Sequence, residues 1–94
     1  MKLLSIKKST NPSKKYDAFL DVNGRERKVS FGANGMSDYT IHHDEERRQR
    51  YIQRHKANED WSDPLTAGFW SYHYLWEFKT KSEALRHIKE KYHL

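Results

Sequence analysis

Between Arg47 and Lys56 the chain reads Arg-Arg-Gln-Arg-Tyr-Ile-Gln-Arg-His-Lys. Arg47, Arg48, Arg50, Arg54 and Lys56 supply five cations within ten residues, with Tyr51 and His55 among them. Long cationic side chains are what phosphate oxygens require, and a Tyr or His ring can stack on an unpaired base. Asp44, Glu45 and Glu46 stand just before the run and neutralise part of it, so the competing expectation is a solvated, salt-bridged helix face. No homeodomain, zinc-finger or RNA-recognition signature accompanies the run, which leaves sequence-specific reading unsupported.

A second cluster is aromatic. Phe69, Trp70, Tyr72, Tyr74, Trp76 and Phe78 fall within ten residues, more than one helix face can bury. Trp70, Tyr74 or Phe78 is therefore expected to remain outside, and exposed rings beside arginine are the usual makings of a protein interface. Trp70 and Tyr74 join the Arg47–Lys56 residues as the candidate interaction surface.

Other chemistry fails on spacing. Six histidines raise the question of a metal, but His42 and His43 are adjacent and point about 100° apart on a helix. His43 and His55 lie twelve residues apart, on different faces, and no His-x-x-x-His spacing occurs. No metal and no cofactor are expected. Gly32-Ala33-Asn34-Gly35 lacks the Lys and Ser/Thr of a phosphate loop, and there is no Gly-x-Ser-x-Gly elbow. Glu45 with His55, or Asp38 with His42, reads as capping and helix-dipole pairing rather than acid–base chemistry. The expectation is a non-enzymatic protein with no small-molecule substrate.

Composition bounds what can position these residues. Ninety-four residues suit one domain, residues 1–94. A third are charged, which leans toward disorder, but three Trp, six Tyr and four Phe argue for a small aromatic core under draped charged side chains. A net charge of +5 favours polyanionic partners. With no cysteine there is no disulfide framework and no thiolate zinc site. Apolar runs are short, so no membrane partner is expected, and the chain reads as soluble and intracellular.

Leu4 and Ile6 alternate in a short strand over 2–7, followed by a polar loop around Asn11-Pro12-Ser13. Residues 15–32 alternate on both sides of Asn23-Gly24, the strongest short hairpin signal. A two-residue turn sets Val22 opposite Arg25, Ala18 opposite Val29 and Tyr16 opposite Phe31. Tyr16, Ala18, Leu20, Val29 and Phe31 then share one face, with Asp17 and Ser30 on the other. Asp21 faces Glu26, a mildly repulsive pair.

Ser37, Asp38 and Thr40 offer caps for a helix over about 41–57, supported by Asp44–Arg48 and Glu46–Arg50 pairs. Asp63 and Pro64 start a second helix, whose core face holds Leu65, Gly68, Phe69, Tyr72 and Trp76. Trp70 and Leu75 fall at its edges, and Gly68 implies close approach to another backbone. Thr80 and Glu83 form a capping box for a last helix over about 81–92. The fold class is α+β: a small β-hairpin or three-stranded antiparallel sheet packed with three helices.

The ordered strings Lys14–Ala18, Val29–Ala33, Gly35-x-Ser37-Asp38-Tyr39-Thr40, His43-Asp44, Arg47–His55, Asp63–Ser71 and Leu75-Trp76 resemble a family of small uncharacterised proteins of large eukaryotic DNA viruses, including algal ones. The resemblance spans about residues 14–76 and departs at His42-His43-Asp44, where the family carries His-Lys-Asp. It implies a viral origin, a virion or host-cytoplasm setting and other viral proteins as partners. It implies no enzyme activity. Within that setting the aromatic cluster and acid-flanked arginines favour a structural or interaction protein, such as a minor capsid or virion-associated component. The alternative is a basic nucleic-acid-binding protein acting on viral DNA or RNA.

Overall fold

In the computed structural model, which describes residues 1–94, an antiparallel sheet ordered β1-β2-β3 carries its helices on one face. The strands are β1 (Lys2–Lys8), β2 (Lys14–Val22) and β3 (Arg25–Ala33). Asn23 and Gly24 sit at the hairpin tip with φ of 55° and 83°, the left-handed pair a type I′ turn demands. The register follows from that turn: Val22 pairs with Arg25, Ala18 with Val29 and Tyr16 with Phe31. Ala18, Leu20, Val29 and Phe31 are buried as the alternation requires. Asp21 does face Glu26, but its carboxylate accepts the Gly24 N–H at 2.8 Å, which fastens it to the turn.

Asp17 points away from the helices with Ser30, yet it is 1% exposed. The β1–β2 loop folds over it. Ser9 Oγ and Ser30 Oγ donate to Oδ1 at 2.7 and 2.6 Å, and the Thr10 N–H donates to Oδ2 at 3.4 Å. Burial alone pushes this carboxyl up, but the two hydroxyls and the amide outweigh it and hold the group below its ordinary value of 3.8.

The expected helix over 41–57 is two helices. Asp38 caps α1 (Tyr39–His42) by accepting the Thr40 N–H, and His43 turns left-handed at φ 53°. Asp44 then caps α2 (Glu45–His55), accepting the N–H groups of Glu46 and Arg47. An aspartate spent on backbone donors is unavailable for the expected pair with Arg48, which bonds Glu45 at 3.0 Å instead. No Glu46–Arg50 ion pair forms.

The second helix starts three residues later than Pro64. Asp63 makes a local turn by accepting the Leu65 N–H at 3.0 Å, and Thr66 caps α3 (Ala67–Trp70) through the Phe69 N–H. From Ser71 to Trp76 the backbone continues as a π-helix, ending with the Glu77 N–H bonded to Tyr72 O five residues back. That wider turn defeats a 3.6-residue projection, because residues five apart share a face. Trp70 and Leu75, expected at the edges, are therefore core, while Tyr72 and Trp76 are only half-buried. Helix α4 (Lys81–Tyr92) starts at Thr80, whose hydroxyl accepts the Glu83 N–H, and buries Ala84 and Ile88.

Loop 56–66 is pinned from two sides. His73, buried in the π-helix, donates from Nε2 to Trp61 O at 2.7 Å, with Nδ1 2.8 Å from Glu77 Oε1. Trp61 lies on Tyr72 at 3.9 Å between centroids, and its Nε1 donates to Glu59.

Candidate functional site

A cleft of about 510 Å³ opens where the end of the hairpin, the segment Met36–Asp38, α2 and the π-helix converge. Lys14, Gly32 and Ala33 come from the sheet, Tyr51, Arg54 and His55 from α2, and Ser71, Leu75 and Trp76 from the π-helix. A second hollow of about 230 Å³ shares Met36, Ser37, Arg54 and Trp76 and adds Arg47 and Arg50. The two are thus continuous through Arg54 and Trp76.

A ring stack builds one wall. Tyr51 is sandwiched between Trp76, at 4.3 Å and 7°, and His55, at 4.2 Å and 25°. Both faces of Tyr51 are used inside the chain, and its hydroxyl is pushed well up, first by burial and then by the Glu59 charge. His55 Nδ1 donates to Glu59 Oε1 at 2.7 Å. Glu59 in turn is the neighbour of Gly68: a Cβ there would stand 2.7 Å from Glu59 Oε2. The close approach expected at Gly68 is therefore to a side chain and not to another backbone.

The cations divide into two classes. Arg48 is a strut: Nε donates to Trp76 O at 3.0 Å, Nη1 bonds Glu45, and the guanidinium lies 5.5 Å over Tyr39. Arg47, Arg50 and Arg54 are exposed and make no ion pair or side-chain hydrogen bond, and Lys56 is likewise exposed beyond the helix. Positions 47, 50 and 54 are spaced to share a helix side, and all three line the smaller hollow.

Asp38 is the one carboxylate lining the cleft, and it is saturated. It is 2% exposed, accepts the Thr40 N–H at 3.0 Å and the Thr40 hydroxyl at 2.5 Å, and pairs with Lys15 at 2.6 Å. The free charge facing the cleft is positive.

The aromatic half of the expected surface lies inside. Trp70 is fully buried, with Nε1 donating to Pro64 O at 2.7 Å. Tyr74 is half-buried, edge-on to Tyr16 and Phe31 at 5.6 and 5.8 Å. The expectation of exposed rings assumed one buried helix face, whereas this segment is covered on two sides: Trp70 packs beside Phe31 of the sheet and Phe69 beside Tyr92 of α4. Lys14, Ser71, Leu75 and Trp76 were not singled out as cleft residues by the sequence, since their convergence depends on how the sheet and helices pack.

A protein-family model described as a family of unknown function, DUF5754, matches residues 4–55, more than half the chain. The chain belongs to this family. The DUF5754 match covers the sheet from Leu4 onward, α1 and α2, and so includes the free arginines, Lys14 and Tyr51; the π-helical wall lies beyond it. No curated protein and no solved structure matches the chain.

Proposed function

We propose that this protein binds nucleic acid through its phosphates. The observation that carries the reading is the row Arg47, Arg50 and Arg54: three exposed guanidinium groups on one helix, without an acidic partner, along a cleft whose only carboxylate is already paired. Guanidinium groups bond phosphate oxygens in a planar, two-pronged geometry, and each contact releases condensed counterions. Lys14 stands across the cleft from Arg54 and adds a fourth cation. The overall charge of +5 draws in the same class of ligand. In the viral setting that the resemblance implies, the ligand would be the viral genome or its transcripts.

The test is the salt dependence of binding to a labelled oligonucleotide, read by fluorescence anisotropy. Four contacts to a single strand give a log–log slope of about −3, at roughly −0.7 per contact. The double substitution Arg50→Gln/Arg54→Gln should bring it to about −1.4. No detectable binding at low salt would sink the reading.

A second reading is a virion-associated or minor capsid component that binds other viral proteins. It draws on Met36 and Ile41, apolar side chains 65% and 62% exposed between β3 and α2. Stoichiometric presence in purified particles would favour it.

A further inference from the structure

We infer that the cleft accepts one unpaired base, so that the protein prefers single-stranded to duplex nucleic acid; this rests on the phosphate reading above. The cleft and the arginine row meet at Arg54, which lines both hollows. A strand whose phosphates follow Arg47, Arg50 and Arg54 runs along roughly 10 Å of helix, at about 1.5 Å per residue. It then arrives at the mouth of a cleft of about 510 Å³. That volume is in the usual range of pockets for small ligands, about 300–1,000 Å³.

The lining suits a base rather than a second phosphate. Ala33, Ala67, Leu75 and the indole of Trp76 give apolar contact, and the Ser37 and Ser71 hydroxyls provide polar groups for a base edge. Lys14 and Arg54 supply cationic groups for the attached phosphate, and Asp38, neutralised by Lys15, does not repel it. Because Tyr51 already has a ring on each face, the base inserts against the apolar lining and does not intercalate into that stack. A paired base has its edge occupied and its faces stacked, and extruding it costs a few kcal/mol. A duplex therefore reaches the arginines but not the cleft.

The experiment compares one labelled sequence as a single strand, as a duplex and as an abasic single strand, titrated with the full chain at matched salt. The single strand should bind at least tenfold more tightly than the other two, and the salt slope of the abasic strand should match that of the intact one. Ala67→Trp, which fills the cleft from its rim, should lower single-strand affinity to the abasic level without changing the slope; Ala33→Leu serves if that variant melts early. Equal affinity for all three ligands with a steep slope overturns the base pocket and leaves the phosphate reading standing. Binding to none of them overturns both. A nucleoside monophosphate that competes with an affinity equal to the oligonucleotide's overturns the strand assignment in favour of a free nucleotide.

Discussion

The indole of Trp76 lies flat on the ring of Tyr51, 4.3 Å between centroids and 7° from parallel. One ring comes from the π-helix and the other from α2, so this stack is what docks α2 beside the sheet-bound helices. Arg48 reinforces it by donating to Trp76 O at 3.0 Å. The joint also forms a wall of the cleft, which ties stability and binding to one residue.

Trp76→Ala should destabilise the fold by about 2 kcal/mol, below the 3–5 of a fully buried aromatic because Trp76 is only half-buried. Trp76→Phe keeps a ring over Tyr51 and should recover more than half of that loss. Urea denaturation of the two variants checks the order. Equal stability of Trp76→Ala and wild type would show that α2 is held by something other than the stack.

Gly68 tests the loop that follows α2. In an exposed helix Gly→Ala is stabilising by roughly 1 kcal/mol. Here the new methyl would meet Glu59 Oε2 at 2.7 Å, and Glu59 is tethered by His55 Nδ1 and Trp61 Nε1 at 2.7 and 2.9 Å. Moving it breaks both bonds, so Gly68→Ala should destabilise by about 1–2 kcal/mol. In a Glu59→Ala background the carboxylate is gone and only the Cβ at 3.3 Å remains, so the same substitution should cost markedly less. Thermal melts of the four proteins give the cycle; a Gly68→Ala effect unchanged by Glu59→Ala refutes the contact.

Asp17 contributes to the acid limb, as do the other carboxylates held below their ordinary values, Glu45, Asp60 and Glu77. Its folded-state pKa lies below the ordinary 3.8, so the carboxylate contributes stability that is fully present above that value. The contribution is lost as pH falls through the depressed folded value. Asp17→Asn should therefore be less stable than wild type at neutral pH, with the gap in Tm narrowing below about pH 3.8. A gap that stays constant down to pH 2 would mean that the carboxylate's charge contributes nothing.

The sheet was legible because a two-residue Asn23-Gly24 turn fixes register, and register fixes which face each side chain takes. The cap at Thr80 was legible for a similar reason, since cap and first turn are local, although only the half of the capping box in which the Thr80 hydroxyl accepts the Glu83 N–H forms. The 39–57 region was misread where two aspartates compete: Asp38 and Asp44 each cap a helix, and the left-handed His43 between them leaves no mark in the apolar pattern. The aromatic stretch was misread because a π-helix changes the period. Hydrophobic spacing over six residues does not distinguish 3.6 from a wider turn when half of them are aromatic. The arginines were visible as a run, but which were free was not, because Arg48 is set apart from Arg50 by its bonds to Glu45 and to the carbonyl of Trp76, 28 residues away, and by the Tyr39 ring beneath it.

That distinction yields the sharpest separation of structure from function. Arg48 is 19% exposed at its side chain, holds Trp76 O and Glu45, and covers Tyr39. Arg50 is exposed and bonds nothing. Arg48→Gln should lower stability by about 1–3 kcal/mol, since two charged hydrogen bonds are lost and the part-buried Trp76 carbonyl is left without its donor. Its effect on the salt slope should be nil at temperatures where the variant is folded. Arg50→Gln should leave the melting temperature within a degree or two, yet make the log–log salt slope shallower by about 0.7, the value of one phosphate contact on a single strand. If the two substitutions change the slope equally, the helix attracts nucleic acid by bulk charge and the row Arg47, Arg50 and Arg54 has no special role. If Arg50→Gln destabilises as much as Arg48→Gln, the guanidinium has a partner in the fold and is not free for a ligand.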